Sequence, residues 1–188
     1  VTVPLFLGTF AGAIKYQERR TQRQRVDSYV ALGISALTEA REKARLAAKQ
    51  REKAYSVFDA MKKDEGEAEW QKALEIAHEA EEAASKAGQV LEAALTLDGS
   101  RDDVRGYLGD ALLEGALIAE ANHHDEKKRD LIQRLRLYDA DGSRVGRWSA
   151  PAQLTLSSYP VGAAVEIARF EPDGHHHRQL LDSRALGM

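Results

Sequence analysis

The chain has 188 residues, and its 27 Lys and Arg against 30 Asp and Glu give a formal net charge of −3 at pH 7. This balance predicts no general attraction to nucleic acid. The absence of cysteine excludes a disulfide framework, an iron–sulfur cluster, a thiolate zinc site and a cysteine nucleophile. Charged residues make up 30% of the chain and aromatic residues 6%, which indicates long solvated helices rather than a bulky enzyme core.

The N-terminal stretch is apolar and carries no charge before Lys15. It is shorter than the roughly 20 residues that cross a bilayer, but cations follow it directly, as at a membrane boundary. We predict that residues 1–25 are the second part of a transmembrane helix, cut at its start, together with its basic flank. The alternatives are a buried core helix and a signal peptide, although a signal peptide has its charges before the apolar region. The basic flank consists of Lys15, Arg19, Arg20, Arg23 and Arg25.

This flank predicts contact with membrane lipid and a single-pass membrane protein. Taken alone, it indicates a cytoplasmic side. The orientation stays open, because the positive-inside rule compares both flanks of a span and only one is present.

Two long amphipathic helices are predicted after the flank. Residues 13–63 contain no proline and repeat apolar or small residues at steps of three and four, which predicts a helix about 75 Å long. Lys62, Lys63 and Gly66 are typical of a helix C-terminus, so we expect a turn at residues 64–66 and a second helix over residues 67–97. Small residues predict close antiparallel packing of the two. The stripe of the second helix comprises Trp70, Ala73, Ala77, Ala80, Ala84, Ala87, Leu91 and Ala94.

Two shorter helices are predicted over residues 101–121 and 126–138 from their apolar spacing. Ser100 and Asp103 have the spacing of a capping box at the first of these helices. The helix pairs resemble degenerate tetratricopeptide-like units, which assigns residues 26–138 to an α-helical hairpin region.

The pattern changes after Tyr138. Residues 139–143 predict a turn, and the pair Ala150-Pro151 ends any helix. Alternating residues predict strands over 153–157 and 163–170. The predicted fold is therefore mainly α, with long antiparallel helical hairpins followed by a small, incomplete antiparallel β module over residues 150–188.

The stretch L-T-L-S-S-Y-P-V-G-A-A-V-E-I, residues 154–167, resembles the opening of a PEGA domain. The order of an apolar start, a basic flank, an Ala/Glu/Arg-rich helical region and a PEGA-like start resembles the segment behind the kinase domain of large bacterial membrane-anchored Ser/Thr protein kinases. Some of these kinases carry a C-terminal formylglycine-generating, or sulfatase-modifying, domain. No kinase motif occurs in this chain, so the resemblance implies a non-catalytic spacer and protein-interaction segment.

Two alternatives remain: a part of a sulfatase-modifying polypeptide, and a free-standing soluble helical adaptor. We expect a protein partner or self-association through the helices, lipid at the N-terminus, and no nucleic acid.

The remaining candidate sites have ordinary interpretations, so we predict no catalytic residue, cofactor or metal. Neighbouring histidines at residues 123–124 and 175–177 diverge, and they do not form a zinc site by themselves. Residues 139–143 lack the glycine position of a calcium loop. The pairs Glu81-Glu82 and Asp102-Asp103 are expected at solvated helix surfaces or helix starts, and Trp70 and Trp148 are expected to be packing anchors.

Overall fold

The structure is a computed structural model that describes the backbone of residues 4–151, 155, 157, 164–172 and 178–187. The chain divides into two compact units, Val1–Ala150 and Pro151–Met188. The predicted fold class, mainly α with a small antiparallel sheet, is confirmed. The elements are α1 (Pro4–Asp59), α2 (Lys63–Leu97), α3 (Asp102–Ala121), α4 (Asp125–Tyr138), α5 (Ser143–Trp148), β1 (Val165–Pro172) and β2 (Arg178–Gly187).

The helices α1 and α2 form the predicted antiparallel hairpin along a seam of small residues. Every residue of the predicted α2 stripe is buried except Trp70, which is half-buried. A Cβ added at Gly33 of α1 would lie 2.6 Å from the Cγ of Leu91, whose side chain is fully buried. The two helices therefore approach closely because small residues line their contact.

The turn of this hairpin lies at residues 60–62, so the predicted turn at residues 64–66 is wrong. Met61 has a φ of 58°, in the left-handed region, and its side chain is 91% exposed rather than part of the apolar stripe. Asp64 and Glu65 occupy the first turn of α2, where carboxylates favour the helix dipole. Gly66 serves packing instead of helix termination, since an added Cβ would lie 2.5 Å from the Cδ1 of Phe58.

The helix α3 runs parallel to α1 and packs on both helices of the hairpin. Arg101 Nη1 lies 2.9 Å from Asp27 Oδ1, and Arg41 Nε lies 3.0 Å from Glu114 Oε2. The predicted capping box is wrong, because Ser100 donates to Asp98 through its amide and its hydroxyl. The predicted apolar face of α3 is confirmed as buried; it comprises Val104, Leu108, Ala111, Leu112, Gly115, Ile118 and Ala119.

The helix α4 begins one residue before its predicted start and packs on α3 through Ile132 and Leu135. The short helix α5 was not predicted. The amides of Arg144 and Val145 donate to the buried carboxylate of Asp139, with 2.8 Å from Val145 N to Oδ2. Arg144 joins α5 to α3, since its Nε lies 2.7 Å from Asp110 Oδ1 and its Nη2 lies 3.0 Å from Gly106 O.

In the second unit β1 and β2 pair antiparallel, with Ala168 opposite Ser183. The predicted strand over residues 163–170 overlaps β1, whereas β2 was not predicted. Of the strand predicted over residues 153–157, the structure describes Thr155 and Ser157, and neither belongs to a strand. The rest of that strand lies outside the described residues.

Gly33 at the seam and the buried Gly88 of α2 provide a test of the hairpin packing. We expect Gly33→Ala to destabilise the fold by about 1–3 kcal/mol, because the new methyl group overlaps Leu91. Gly88→Ala is the matched control: its added Cβ meets nothing within 4 Å, and alanine is the better helix former by about 1 kcal/mol. Urea unfolding followed by far-UV circular dichroism measures both changes, and a neutral Gly33→Ala would contradict the close approach of α1 and α2.

Candidate functional site

A groove runs along the α1/α2 hairpin, and α3 fills only part of it. Asp27 and Arg41 mark the α1 edge of this groove by their contacts with α3. Residues seven positions apart lie on the same edge of a packed helix, so Ile34 lies on that edge between the two markers and Tyr55 continues it beyond Arg41. Arg51 contacts Asn122, the residue directly after α3. Tyr55 therefore lies beyond the end of α3, in the part that we call the open end of the groove.

The open end forms a cavity of about 600 Å³ between α1, α2 and the turn from α3 to α4. Tyr55 and Trp70 provide its aromatic wall, with ring centroids 5.6 Å apart and planes at 47°. Tyr55 is 55% exposed and Leu74 is 42% exposed. The cavity is lined by Arg51, Tyr55, Trp70, Leu74, Ala77, His78, Glu81, Ala121, Asn122, His123 and His124.

Glu81 is the buried polar residue of this cavity, and its carboxylate accepts from several donors. Asn122 Nδ2 lies 2.7 Å from Oε1, and Lys127 Nζ lies 2.9 Å from Oε2. His124 Nδ1 lies 2.6 Å from Oε1. These contacts join α2 to the α3–α4 turn and to the first turns of α4, so Glu81 fixes the inner end of the cavity.

The prediction that Glu81 lies on a solvated helix surface is wrong, because its side chain is only 8% exposed. Burial by itself raises the pKa of this carboxyl, but the hydrogen bonds from Asn122 and Lys127 outweigh burial and lower the pKa below its ordinary value of 4.5. The carboxylate is therefore charged at neutral pH.

A second carboxylate, Glu69, ties the two helices together near the hairpin turn. Lys53 Nζ lies 2.8 Å from Oε2 and Lys72 Nζ lies 2.9 Å from Oε1, and Gln50 also donates to this carboxylate. The hydrogen bonds from Lys53, Lys72 and Gln50 lower the pKa of Glu69 to about 2. These contacts hold the α1 and α2 walls of the open end in register.

A smaller cavity of about 140 Å³ lies between α2, α3 and α4, and Glu81 and Lys127 also line it. Its floor is made of small residues, because Ala84, Gly88 and Gly115 leave space there. It is far smaller than the open end of the groove, so we take the open end as the candidate site.

The structure brings only some of the predicted residues together. His124 contacts Glu81, and His123 lines the same cavity with a φ of 60°. Among the residues that the structure describes, no group of three or more His, Asp and Glu side chains could hold a metal ion. Residues 175–177 lie outside the described part of the chain. Trp70, predicted as a packing anchor, is half-buried at the cavity wall.

The basic flank lies on α1, before Val26, which is the first buried residue among those whose side chains the structure describes. The side chains of its four arginines are exposed, and none of these forms an ion pair with another described side chain. The side chain of Lys15 lies outside the described residues. None of the helices that the structure describes has an apolar stretch long enough to cross a membrane.

The sequence contains a signal for Glu81. Glu81 and Gly88 lie at steps of three and four from Ala77 and Ala84 of the predicted stripe, which indicates an apolar face wider than the stripe alone. A carboxylate within that face would be buried. Neither the turn at Met61 nor the partners of Glu81 had a comparable signal.

Comparison of the chain with protein-family models, with curated proteins and with solved structures gives no match. The candidate site is therefore defined by its own geometry: a partly open cavity with an aromatic wall and a buried, hydrogen-bonded carboxylate.

Substitution of Glu81 tests the role of the buried carboxylate. We expect Glu81→Gln to lower the free energy of unfolding by about 1–3 kcal/mol at pH 7, because Lys127 and His124 lose a charged acceptor. Since the pKa of Glu81 in the folded chain is lowered, this contribution is present above about pH 4.5 and is lost as the pH falls through the folded pKa. Urea unfolding at a series of pH values measures the free energy of unfolding of the unsubstituted chain and of Glu81→Gln. The difference between the two should become smaller at acidic pH.

Glu82→Gln is the control for this experiment. Glu82 is adjacent in sequence but 69% exposed, and its one described ionic contact is with His78 at 3.4 Å. We expect a change within about 0.5 kcal/mol. Equal effects of the two substitutions would show that the burial of Glu81 has no energetic consequence.

Proposed function

We propose that the chain is a non-catalytic, membrane-proximal spacer and protein-interaction segment of a bacterial signalling Ser/Thr protein kinase. The observation that carries the proposal is the length of α1, which continues past the packed helices and presents exposed arginines there. The order of parts in the sequence supports the kinase context.

The extension of α1 can be measured against its partner helix. Gln22 donates to the carbonyl of Leu97, the last residue of α2. Residues before Gln22 therefore have no part of α2 beside them. From Pro4 to Thr21 this extension is about 27 Å long at 1.5 Å per residue. It bears the apolar N-terminal residues and most of the basic flank.

The charge of the extension supports contact with anionic lipid headgroups. Lys and Arg near an anionic membrane surface each contribute about 1 kcal/mol of binding. Arg19, Arg20, Arg23 and Arg25 would therefore contribute together, and an apolar segment next to them adds burial in the lipid.

The hairpin supports the role of a spacer because ionic contacts hold its helices in register. Lys43 contacts Glu79 across the two helices, and Lys53 contacts Glu69 nearer the turn. A hairpin whose two helices are connected at several positions along its length keeps a fixed length, which a flexible linker does not. α2 alone has 35 residues, or about 52 Å.

Vesicle flotation tests the membrane-proximal role. We expect the chain to float with vesicles of 30% phosphatidylserine in phosphatidylcholine, and to float less at high salt because salt screens the arginines. Replacement of Arg19, Arg20, Arg23 and Arg25 by Gln should reduce binding by at least about tenfold. The control variant replaces four exposed cations elsewhere with Gln: Lys49, Lys86, Arg129 and Arg136. It removes the same amount of charge. An equal loss of vesicle binding in the two variants would contradict a specific role of the basic flank.

The native polypeptide tests the kinase context. We expect an antibody against residues 26–138 to detect a band several times larger than 20.8 kDa in the membrane fraction of the source cells. The physical reason is that a spacer must be covalently joined to the domain that it positions. A soluble band near 20.8 kDa would contradict the proposal and favour a free-standing helical adaptor.

A further inference from the structure

We propose that the open end of the groove binds an acidic amphipathic helix of a partner protein, laid end to end with α3. This proposal rests on the interaction role proposed above and assigns that role to one surface. It is carried by the continuity of the groove, the space left in it and the hydrogen-bond donors of its lining.

The open end continues an interface that a helix already occupies. On α2, the edge that packs against α3 includes Ala84, whose Cβ would lie 3.8 Å from a Cβ added at Gly115. Ala77 and Trp70 follow on the same edge at steps of seven. The residues of the groove beyond α3 therefore face the line along which α3 lies.

The space beyond α3 suits a short helix. α3 ends at Ala121, level with Arg51, while α1 continues to Asp59. The uncovered length is about 12 Å, or two helical turns. The exposed apolar side chains in it are Tyr55 and Leu74, beside the half-buried Trp70. Aromatic residues at a partly open pocket are the usual energetic anchors of a protein interface.

The lining favours an acidic rather than a basic partner. Arg51 and the ring N–H groups of three histidines provide hydrogen-bond donors in the cavity, against the single carboxylate of Glu81. That carboxylate already accepts from Asn122, His124 and Lys127, so it offers little to a cationic ligand. Arg51 donates to Asn122 through one nitrogen, and a guanidinium has further N–H donors.

The direction of the bound helix follows from the same residues. Acidic residues are favourable in the first turn of a helix, and Arg51 lies at the inner end of the cavity, beside the end of α3. A partner helix that enters with its N-terminus toward α3 places its first-turn carboxylates near Arg51. Its apolar side chains at steps of three and four then cover Tyr55, Trp70 and Leu74.

Selection from a displayed library of random 12-residue peptides, with the full chain as bait, tests the proposal. We expect the enriched peptides to carry Asp or Glu near the N-terminus and apolar residues at steps of three and four. Their affinity, measured by fluorescence anisotropy, should fall at least about tenfold with Leu74→Asp and with Arg51→Gln. Leu46→Asp is the control, because Leu46 is 53% exposed on α1 and does not line the cavity.

Three outcomes would overturn the proposal: no enrichment, enrichment of basic peptides, or equal losses with Leu46→Asp and Leu74→Asp. Sedimentation that shows a dimer, dissociated by Leu74→Asp, would assign the open end to a second copy and would also overturn it. Circular dichroism of each variant separates lost binding from lost folding. Failure here leaves vesicle flotation unaffected, so the two proposals fail separately.

Discussion

The structure of the helical unit depends on how closely α1 and α2 approach each other. Gly33 leaves room for Leu91, and Gly66 leaves room for Phe58 at the other end of the hairpin. Alanines fill the seam between these points. Small side chains bring the two backbones together, and larger apolar residues of the hairpin form one core cluster with α3; they include Val26, Val30, Leu37 and Leu91. The groove and its open end are thus consequences of a narrow seam.

Polar contacts determine which parts of this surface are covered. Glu81 is held by donors from the α3–α4 turn and from α4, so the turn is fixed at one level of the hairpin. A buried ionic contact adds less stability than the attraction between its two charges alone would give, because both groups lose hydration. Its main effect here is on position: it sets where α3 stops and hence where the uncovered groove begins.

Much of the fold followed from periodicity, and the errors have specific causes. The buried faces of α2, α3 and α4 were predicted because their apolar residues recur at helical spacing. The hairpin turn was misplaced because a glycine beside acidic residues is compatible with two structures, the end of a helix and a close contact within one. Only the position of Phe58 next to Gly66 distinguishes them. α5 was missed because it is held by Asp139 and by contacts of Arg144 with α3, which no local pattern encodes. For Glu81 the width of the apolar face was a signal for burial, but no local pattern indicated its partners in the α3–α4 turn and in α4.

The uninterrupted α1 has a geometric consequence for the two surfaces that it joins. One helix connects the basic flank to the wall of the open groove, so the two have a fixed angular phase about the helix axis. Each inserted residue would rotate one relative to the other by about 100° and separate them by 1.5 Å. A seven-residue insertion would nearly restore the original phase while adding about 10 Å. The number of residues in this helix therefore determines both the distance between the basic flank and the open groove and the direction in which the groove faces relative to the flank.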